Sequence, residues 1–263
     1  LKVKQAANRE ETMSDTKFSF QRYEKKYLLD TAQYDELRHE LEKYMTNDDF
    51  AHSTICNVYY DTPDFSLVRA SLERPIYKEK LRVRSYGTPD RDGKVFLEIK
   101  KKYDGVVYKR RTEMTDSEAV SYLKNGIRPA DDSQIMREID WFVRSRQLEP
   151  KVYIAYDRDA LKGIENDALR ITFDHSIRWR ERELNLCRGD VGEELLPEDT
   201  VLMEVKIPGA APLWMAEMFS RLRIYPTNFS KYGACYKTML ARGDVADEFT
   251  ANEIIGIGVT NCA

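Results

Sequence analysis

The chain has 263 residues, 42% of them hydrophobic and 11% aromatic, enough for a substantial core in one large domain or two small ones. Charged residues make up 33%, yet the net charge is only −3, which argues against a protein that binds nucleic acid through bulk charge. Cys56, Cys187, Cys235 and Cys262 form no CxxC pair, no apolar run approaches the roughly 18 residues of a membrane span, and no signal peptide opens the chain, so zinc, membrane and secreted classes recede and a reduced, cytosolic setting is expected.

Residues 1–17, the first dozen mostly polar and preceding Met13, read as a flexible leader. The first strand is expected over 18–29. Asp30 or Thr31 then caps a helix to about Tyr44, with Tyr34, Leu37, Leu41 and Tyr44 at helical spacing. A strand over 55–61 follows, then a short helix over 64–71 opened by Pro63. After Pro75 comes a strand over 78–86, and Gly87, Pro89, Asp92 and Gly93 connect it to a strand over 95–102. Asp104-Gly105 is a strong two-residue hairpin signal into a strand ending near Met114. Thr115 or Asp116 caps a helix ending near Asn125-Gly126. Asp132 or Ser133 opens another to about Arg146, with Ile135, Ile139, Phe142 and Val143 as its apolar stripe. Strands over 152–158 and 168–180 follow, then an irregular stretch over 181–200, read as a loop or an extra hairpin. A strand over 201–207 ends at Pro208, Pro212 opens a helix to about Arg221, and Ser230 caps a last helix over 231–241. Residues 242–263 read as a tail whose 254–259 run is apolar but interrupted by glycine. With no linker rich in Pro, Gly or Ser, one domain over 18–241 is expected.

The strands carry the informative pattern. Successive strand side chains point to opposite faces. Lys78, Lys80, Arg82 and Arg84 therefore share one face of their strand, with Leu81 and Val83 opposite. Glu98, Lys100 and Lys102 share a face against Val95, Leu97 and Ile99, and Glu204 and Lys206 share one against Val201, Met203, Val205 and Ile207. Arg22, Glu24 and Lys26 share a face, as do Lys109, Arg111 and Glu113, and Arg170 and Asp174. A single charged face could simply meet water. Six of them, most with an apolar reverse, fit an α+β fold: a closed or nearly closed antiparallel β-barrel, helices covering its apolar outside, a charged interior open to water. An interior with more cations than carboxylates is a trap for a polyanion.

At this point the chain resembles the polyphosphate polymerase domain of the vacuolar transporter chaperone family, the VTC domain, within the CYTH or triphosphate tunnel metalloenzyme superfamily. The matching segments, in family order, are Tyr23-Glu24-Lys25-Lys26-Tyr27, Tyr59-Tyr60-Asp61-Thr62, Leu81-Arg82-Val83-Arg84-Ser85-Tyr86-Gly87, Leu97-Glu98-Ile99-Lys100, Tyr156-Asp157-Arg158, Leu169-Arg170-Ile171-Thr172-Phe173-Asp174, Met203-Glu204-Val205-Lys206 and Phe229-Ser230-Lys231-Tyr232. The resemblance implies a triphosphate tunnel and a divalent metal, Mn²⁺ or Mg²⁺. It implies Lys26, Arg82, Arg84 and Lys100 at the reacting phosphates, with Arg158, Arg170, Lys231, Ser230 and Tyr156 as further phosphate contacts and Glu204 as the metal ligand. Arg69, Arg74, Lys78, Lys80 and Lys109 are also basic and near in sequence but align less securely; of these, Lys80 and Lys109 are counted as phosphate contacts. The first motif departs from the superfamily's ExExK: Arg22-Tyr23-Glu24-Lys25-Lys26 keeps one carboxylate where hydrolases keep two, which suits a long phosphate chain better than water activation.

Three functions follow from the resemblance: polyphosphate synthesis from ATP, hydrolysis of inorganic or thiamine triphosphate, and non-catalytic polyphosphate sensing. Each residue also has a structural alternative. Glu204 can pair with an inward lysine, Lys231 can be an exposed lysine beside a cap, Ser230 can serve only as that cap, and Tyr156 can be a hydrogen-bonded core tyrosine. His39, His52 and His175 read as ordinary surface or core residues, and Trp141, Trp179 and Trp214 as packing, Trp214 equally as interface. No nucleic-acid partner is expected. Relatives in eukaryotes act inside membrane complexes, but nothing in the chain resembles their anchoring domains; a free-standing cytoplasmic enzyme is expected, with membrane partners and oligomeric state left open.

Overall fold

Strand β1 (Arg22–Asp30) runs straight into helix α1 (Thr31–Leu41), and the junction is fixed by a reciprocal cap. Asp30 accepts from the Gln33 N–H at 2.8 Å while the Gln33 side chain accepts from the Asp30 N–H. Then come β2 (Met45–Asp61), α2 (Ser66–Leu72), β3 (Tyr77–Tyr86), β4 (Lys94–Tyr103) and β5 (Val106–Thr115). Thr115 and Glu118 build a second capping box at the start of α3 (Asp116–Asn125), which Gly126 ends with φ of +71°. Ser133 caps α4 (Gln134–Arg146). The remainder is β6 (Glu149–Gly163), β7 (Arg170–Arg180), β8 (Glu193–Glu194), β9 (Thr200–Pro208), α5 (Leu213–Arg221), β10 (Pro226–Thr227) and α6 (Lys231–Arg242), whose N-cap is Ser230. This computed structural model describes residues 22–73, 75–104 and 106–245. The leader, residues 18–21 of the first expected strand, Arg74, Gly105, Cys262 and the 254–259 run lie outside the described residues.

All pairings are antiparallel and make one sheet in the order β10-β1-β9-β7-β6-β2-β3-β4-β5, with β8 on β7. The ladder has two ends, at β10 and β5, and among the described residues no backbone pairing joins them. Of the closed or nearly closed barrel expected, the antiparallel sheet under covering helices is present, while closure by backbone pairing is not seen among the described residues. The sheet is curled all the same, because Glu24 on β1 comes within 3.8 Å of Lys100 on β4, far along the strand order.

The outer, apolar faces are held by helices. Leu81, Val83, Leu97 and Ile99 pack with Ile139 and Phe142 of α4; Ile171, Phe173, Met203 and Val205 pack with Leu37, Leu41, Met215 and Phe219 of α1 and α5. Fully burying one such side chain contributes about 1.5–3 kcal/mol, so these faces, not the charged ones, hold the curl.

The concave side is not wet throughout. Ile55, Tyr59, Ile154, Tyr156 and Leu202 pack with Val68 of α2 and with Tyr232, Cys235, Tyr236 and Met239 of α6, which fills part of the bore. In β7 a register shift opposite Ala155 and Asp157, with Ser176 at φ of +44°, changes which residues face inward. Ile177 and Trp179 thereby join the α6 cluster, while Phe173 belongs to the outer layer. Trp179 is packing as expected, Trp214 stacks on Tyr44 at 4.1 Å, but Trp141 is exposed rather than packed. No helix among the described residues is long and apolar enough to cross a membrane.

Candidate functional site

Strand alternation and curl together gather the inward charges around one cavity of about 240 Å³. β3 contributes Lys80, Arg82 and Arg84; β4 and β5 contribute Lys100 and Lys109; β1, β6 and β9 contribute Lys26, Arg158 and Lys206; α6 contributes Lys231. These nine cations face three lining carboxylates, Glu24, Glu98 and Glu204. A second hollow of about 480 Å³ shares Lys26, Lys80, Lys100 and Ser230 with the first and adds Lys25, Lys78, Lys102 and Lys237. Lys80 and Lys100 stand directly opposite each other across β3 and β4, as do Lys78 and Lys102. Like charges directly opposite in a sheet are destabilising, so this wall is built at a cost that an anion between the strands would offset.

Of the sequence-predicted residues, Lys26, Lys80, Arg82, Arg84, Lys100 and Lys109 all line the cavity, and so do Tyr156, Arg158, Glu204, Ser230 and Lys231. Arg170 does not. It opens β7 and its guanidinium pairs with Asp48 at 3.1 Å, half exposed, drawn to a carboxylate outside the cavity.

Two buried carboxylates organise the cations. Glu98, 1% exposed, lies directly opposite Arg82. It accepts from Arg82 Nε at 2.9 Å and Nη2 at 2.7 Å, with Lys109 Nζ at 2.9 Å and Arg84 Nε at 3.9 Å. Burial would raise its carboxyl, but the charges of Arg82, Arg84 and Lys109 outweigh burial and bring it down to about 2. Asp174, fully buried, accepts from Arg158 Nε at 2.6 Å and Nη2 at 2.8 Å and pairs closely with Lys231. Burial would raise it too, and Lys231 and Arg158 keep it low.

Tyr156 joins the two groups. Arg84 donates to its hydroxyl at 3.1 Å, and its ring lies under Lys231 and Arg158 at 4.3 and 5.1 Å. Despite burial, Arg84, Arg158 and Lys231 lower its phenol. Arg84 also donates to Asn57, which in turn donates to the Ile154 carbonyl, so this guanidinium is fixed from behind. Lys231 is buried, not an exposed lysine beside a cap; Ser230 does cap α6, accepting from the Gly233 N–H, and also accepts from Lys80 Nζ at 3.1 Å.

Glu204 pairs with Lys26 at 3.2 Å and lies 3.6 and 3.7 Å from Lys231 and Arg158. Burial opposes its ionisation, and those three cations overcome burial and hold it well below the usual range. Among the described residues no three His, Cys, Asp or Glu side chains gather in a metal-binding group. One carboxylate among lysines does not make a resident metal site. It does suit an ion that arrives already bound to phosphate oxygens, as Mg²⁺ is typically held by one or two carboxylates plus substrate phosphates.

Burial, then the charges of Lys26, Lys100, Lys78 and Arg82, push Lys80 down to about 7; burial, partly opposed by Glu98, brings Lys109 to about 8. An anion favours the charged forms of both. Affinity for inorganic triphosphate is therefore expected to fall as pH rises through 7 to 8, and calorimetric titration of wild type against Lys80→Met, which flattens the lower part of that fall, checks it. For the empty protein the sign is opposite. A lysine whose folded value lies below its unfolded one binds protons more weakly when folded, so its penalty is complete below pH 7 and fades as pH rises toward about 10.4.

Glu24, Glu98, Tyr59, Lys206 and Tyr232, which line the cavity, and Asp174, which lies beside it, are not among the sequence-predicted site residues, although all six stand inside the family-matching segments. The signal was cross-strand register: Glu98 opposes Arg82, and Asp174 opposes Arg158.

The sequence profile of one protein family, described as VTC domain, matches residues 21–240. No curated protein matches the sequence. Three solved structures resemble the fold. A candidate adenylyl cyclase from Hippeastrum, described as having a dominant triphosphatase activity, is 14% identical, with 82% of this chain and 95% of that one covered at a TM-score of 0.50. A candidate adenylate cyclase from Bacillus halodurans is 15% identical over 79% of this chain and 92% of that one, with a TM-score of 0.49. A protein from Pyrococcus horikoshii is 9% identical over 82% and 99%, with a TM-score of 0.43. At such identities the Hippeastrum likeness speaks to the fold alone.

Proposed function

The chain belongs to the VTC domain family, and we propose that it is a metal-dependent polyphosphate polymerase that transfers the γ-phosphate of ATP to a growing polyphosphate chain inside the lysine- and arginine-lined cavity. The observation that carries this reading is the convergence of nine cations from six strands and one helix on a single cavity with only three lining carboxylates.

Phosphoryl transfer asks a protein mainly for positioning and charge stabilisation. Arg82, Arg84 and Arg158 each present a planar fork held from behind, by Glu98, by Asn57 and Tyr156, and by Asp174 respectively. Such forks suit the reacting phosphates, where geometry matters. Lys26, Lys80, Lys100 and Lys109 act as point charges along the rest of the chain. The attacking oxygen of a phosphate chain is already ionised near neutral pH, so no base is required. A divalent ion brought in by the triphosphate, with Glu204 as its protein anchor, would neutralise charge on the transferring group. The hollow carrying Lys78 and Lys102 lets the product leave without crossing the nucleotide.

Triphosphate hydrolysis and polyphosphate sensing use the same cations. Incubating the purified protein with Mn²⁺ and either ATP or inorganic triphosphate, then resolving products on a gel, separates the three. A ladder of polymer from ATP is expected. Free phosphate from inorganic triphosphate without polymer indicates a triphosphatase, and binding without turnover indicates a sensor.

A further inference from the structure

Asp174 is not among the residues lining the cation-lined cavity and no solvent reaches it, yet it touches two of the cations that do line that cavity. Ile171 and Phe173 pack in the outer apolar layer, whereas Asp174 alternates with them and shares the inward face of β7 with Thr172. Burying a carboxylate there costs solvation that an apolar residue would not, and replacement of buried ion pairs by apolar groups is often neutral or stabilising. The position of its partners supplies the reason. Arg158 is the residue directly across the ladder, and it meets Asp174 through two parallel bonds of 2.6 and 2.8 Å. Lys231 comes from a different element, the first residue of α6, and closes on the same carboxylate. Both cations also lie 3.6–3.7 Å from Glu204, the next anion available to them.

We propose that Asp174 is a positioning residue: it keeps Arg158 and Lys231, which already pair with Glu204 at 3.6–3.7 Å, from closing fully onto that carboxylate, and aims them at a linear phosphate chain. This rests on reading the cavity as a phosphate site. Remove the charge of Asp174 and the two cations relax onto Glu204. The cavity then becomes more positive but loses its built geometry, so attraction for anions persists while discrimination by shape is lost.

The test compares linear inorganic triphosphate with cyclic trimetaphosphate, titrated calorimetrically into wild type and Asp174→Asn at one salt concentration. Wild type is expected to prefer the linear anion at least tenfold. In Asp174→Asn that preference falls at least fivefold while affinity for the cyclic anion is kept or rises. Charge alone predicts the reverse, because a more positive cavity should favour the more highly charged linear anion further. An unchanged or increased preference overturns the inference, as does an equal fall in both affinities, which marks a purely structural role. If Asp174→Asn does not fold, Asp174→Asn/Lys231→Met removes the charges in a pair and is compared with Lys231→Met. Asp174 still fixes Arg158 in that background, so a further fall in linear preference upholds the inference and an unchanged or increased preference overturns it. Wild type that binds neither anion sinks the phosphate-site reading itself, and this inference with it.

Discussion

Replacing Arg82 and Arg84 together with alanine is expected to lower turnover by about 10³-fold or more, since a single arginine on a transferring phosphoryl group is worth 10³–10⁵ in kcat. Both side chains are committed to the site before any ligand enters. Arg82 is bound by Glu98 and donates to the Tyr59 hydroxyl at 3.1 Å, and Arg84 is gripped by Asn57 and Tyr156. Neither needs to be ordered at the moment of reaction, which is where fixed donors gain most over water. Leu81 and Val83, on the other face of β3, keep the strand in the core in the variant. Steady-state transfer from ATP, read beside a melting curve, checks this. Turnover within tenfold of wild type in a folded variant removes these arginines from the reacting phosphates.

Glu98→Gln is expected to destabilise the empty protein by about 3–5 kcal/mol, the usual effect of breaking a buried ion pair by taking one partner away. Arg82, Arg84 and Lys109 would then face one another with no anion among them. A bound polyanion supplies the missing charge. Saturating inorganic triphosphate should recover much of the loss, because a ligand at 100 times its Kd stabilises the folded state by about 2.7 kcal/mol. Thermal melts of wild type and variant, with and without the anion, give four numbers. The account requires a larger anion-induced rise in the variant than in wild type. A variant that melts like wild type would show that Glu98 does not hold the three cations together.

The inward cations of β3 and β4 were legible in sequence because strand side chains alternate strictly, so one correct strand fixes which residues share a face. Helix starts were legible from capping chemistry at Asp30, Thr115, Ser133 and Ser230. Strand lengths were not. β2 begins at Met45 and β6 runs from Glu149 to Gly163, both well beyond their apolar centres. The outer stretches, such as 46–47 paired with 161–162 and 52–54 paired with 157–159, are held by backbone bonds while their side chains remain largely polar, so no hydrophobic period announces them. Arg170 shows the matching limit at the site. Alternation places it on the face of Asp174, but only the fold decides that the first residue of β7 meets Asp48 instead of the cavity. Glu98 and Asp174 failed for a related reason. A carboxylate among cations looks the same in sequence whether it lines the cavity, as Glu204 and Glu98 do, or is fully buried beside the cations, as Asp174 is; only the fold separates the two.

The central claim, that the basic strand faces form one receptacle for a linear phosphate chain, is tested most directly by a crystal structure of the protein with inorganic triphosphate. The account predicts three phosphorus positions in line within the 240 Å³ cavity, with Arg82, Arg84, Arg158 and Lys231 in contact with their oxygens. Triphosphate found only on the outer surface, with those four side chains still turned to Glu98, Asn57 and Asp174 and the cavity holding water alone, would contradict it.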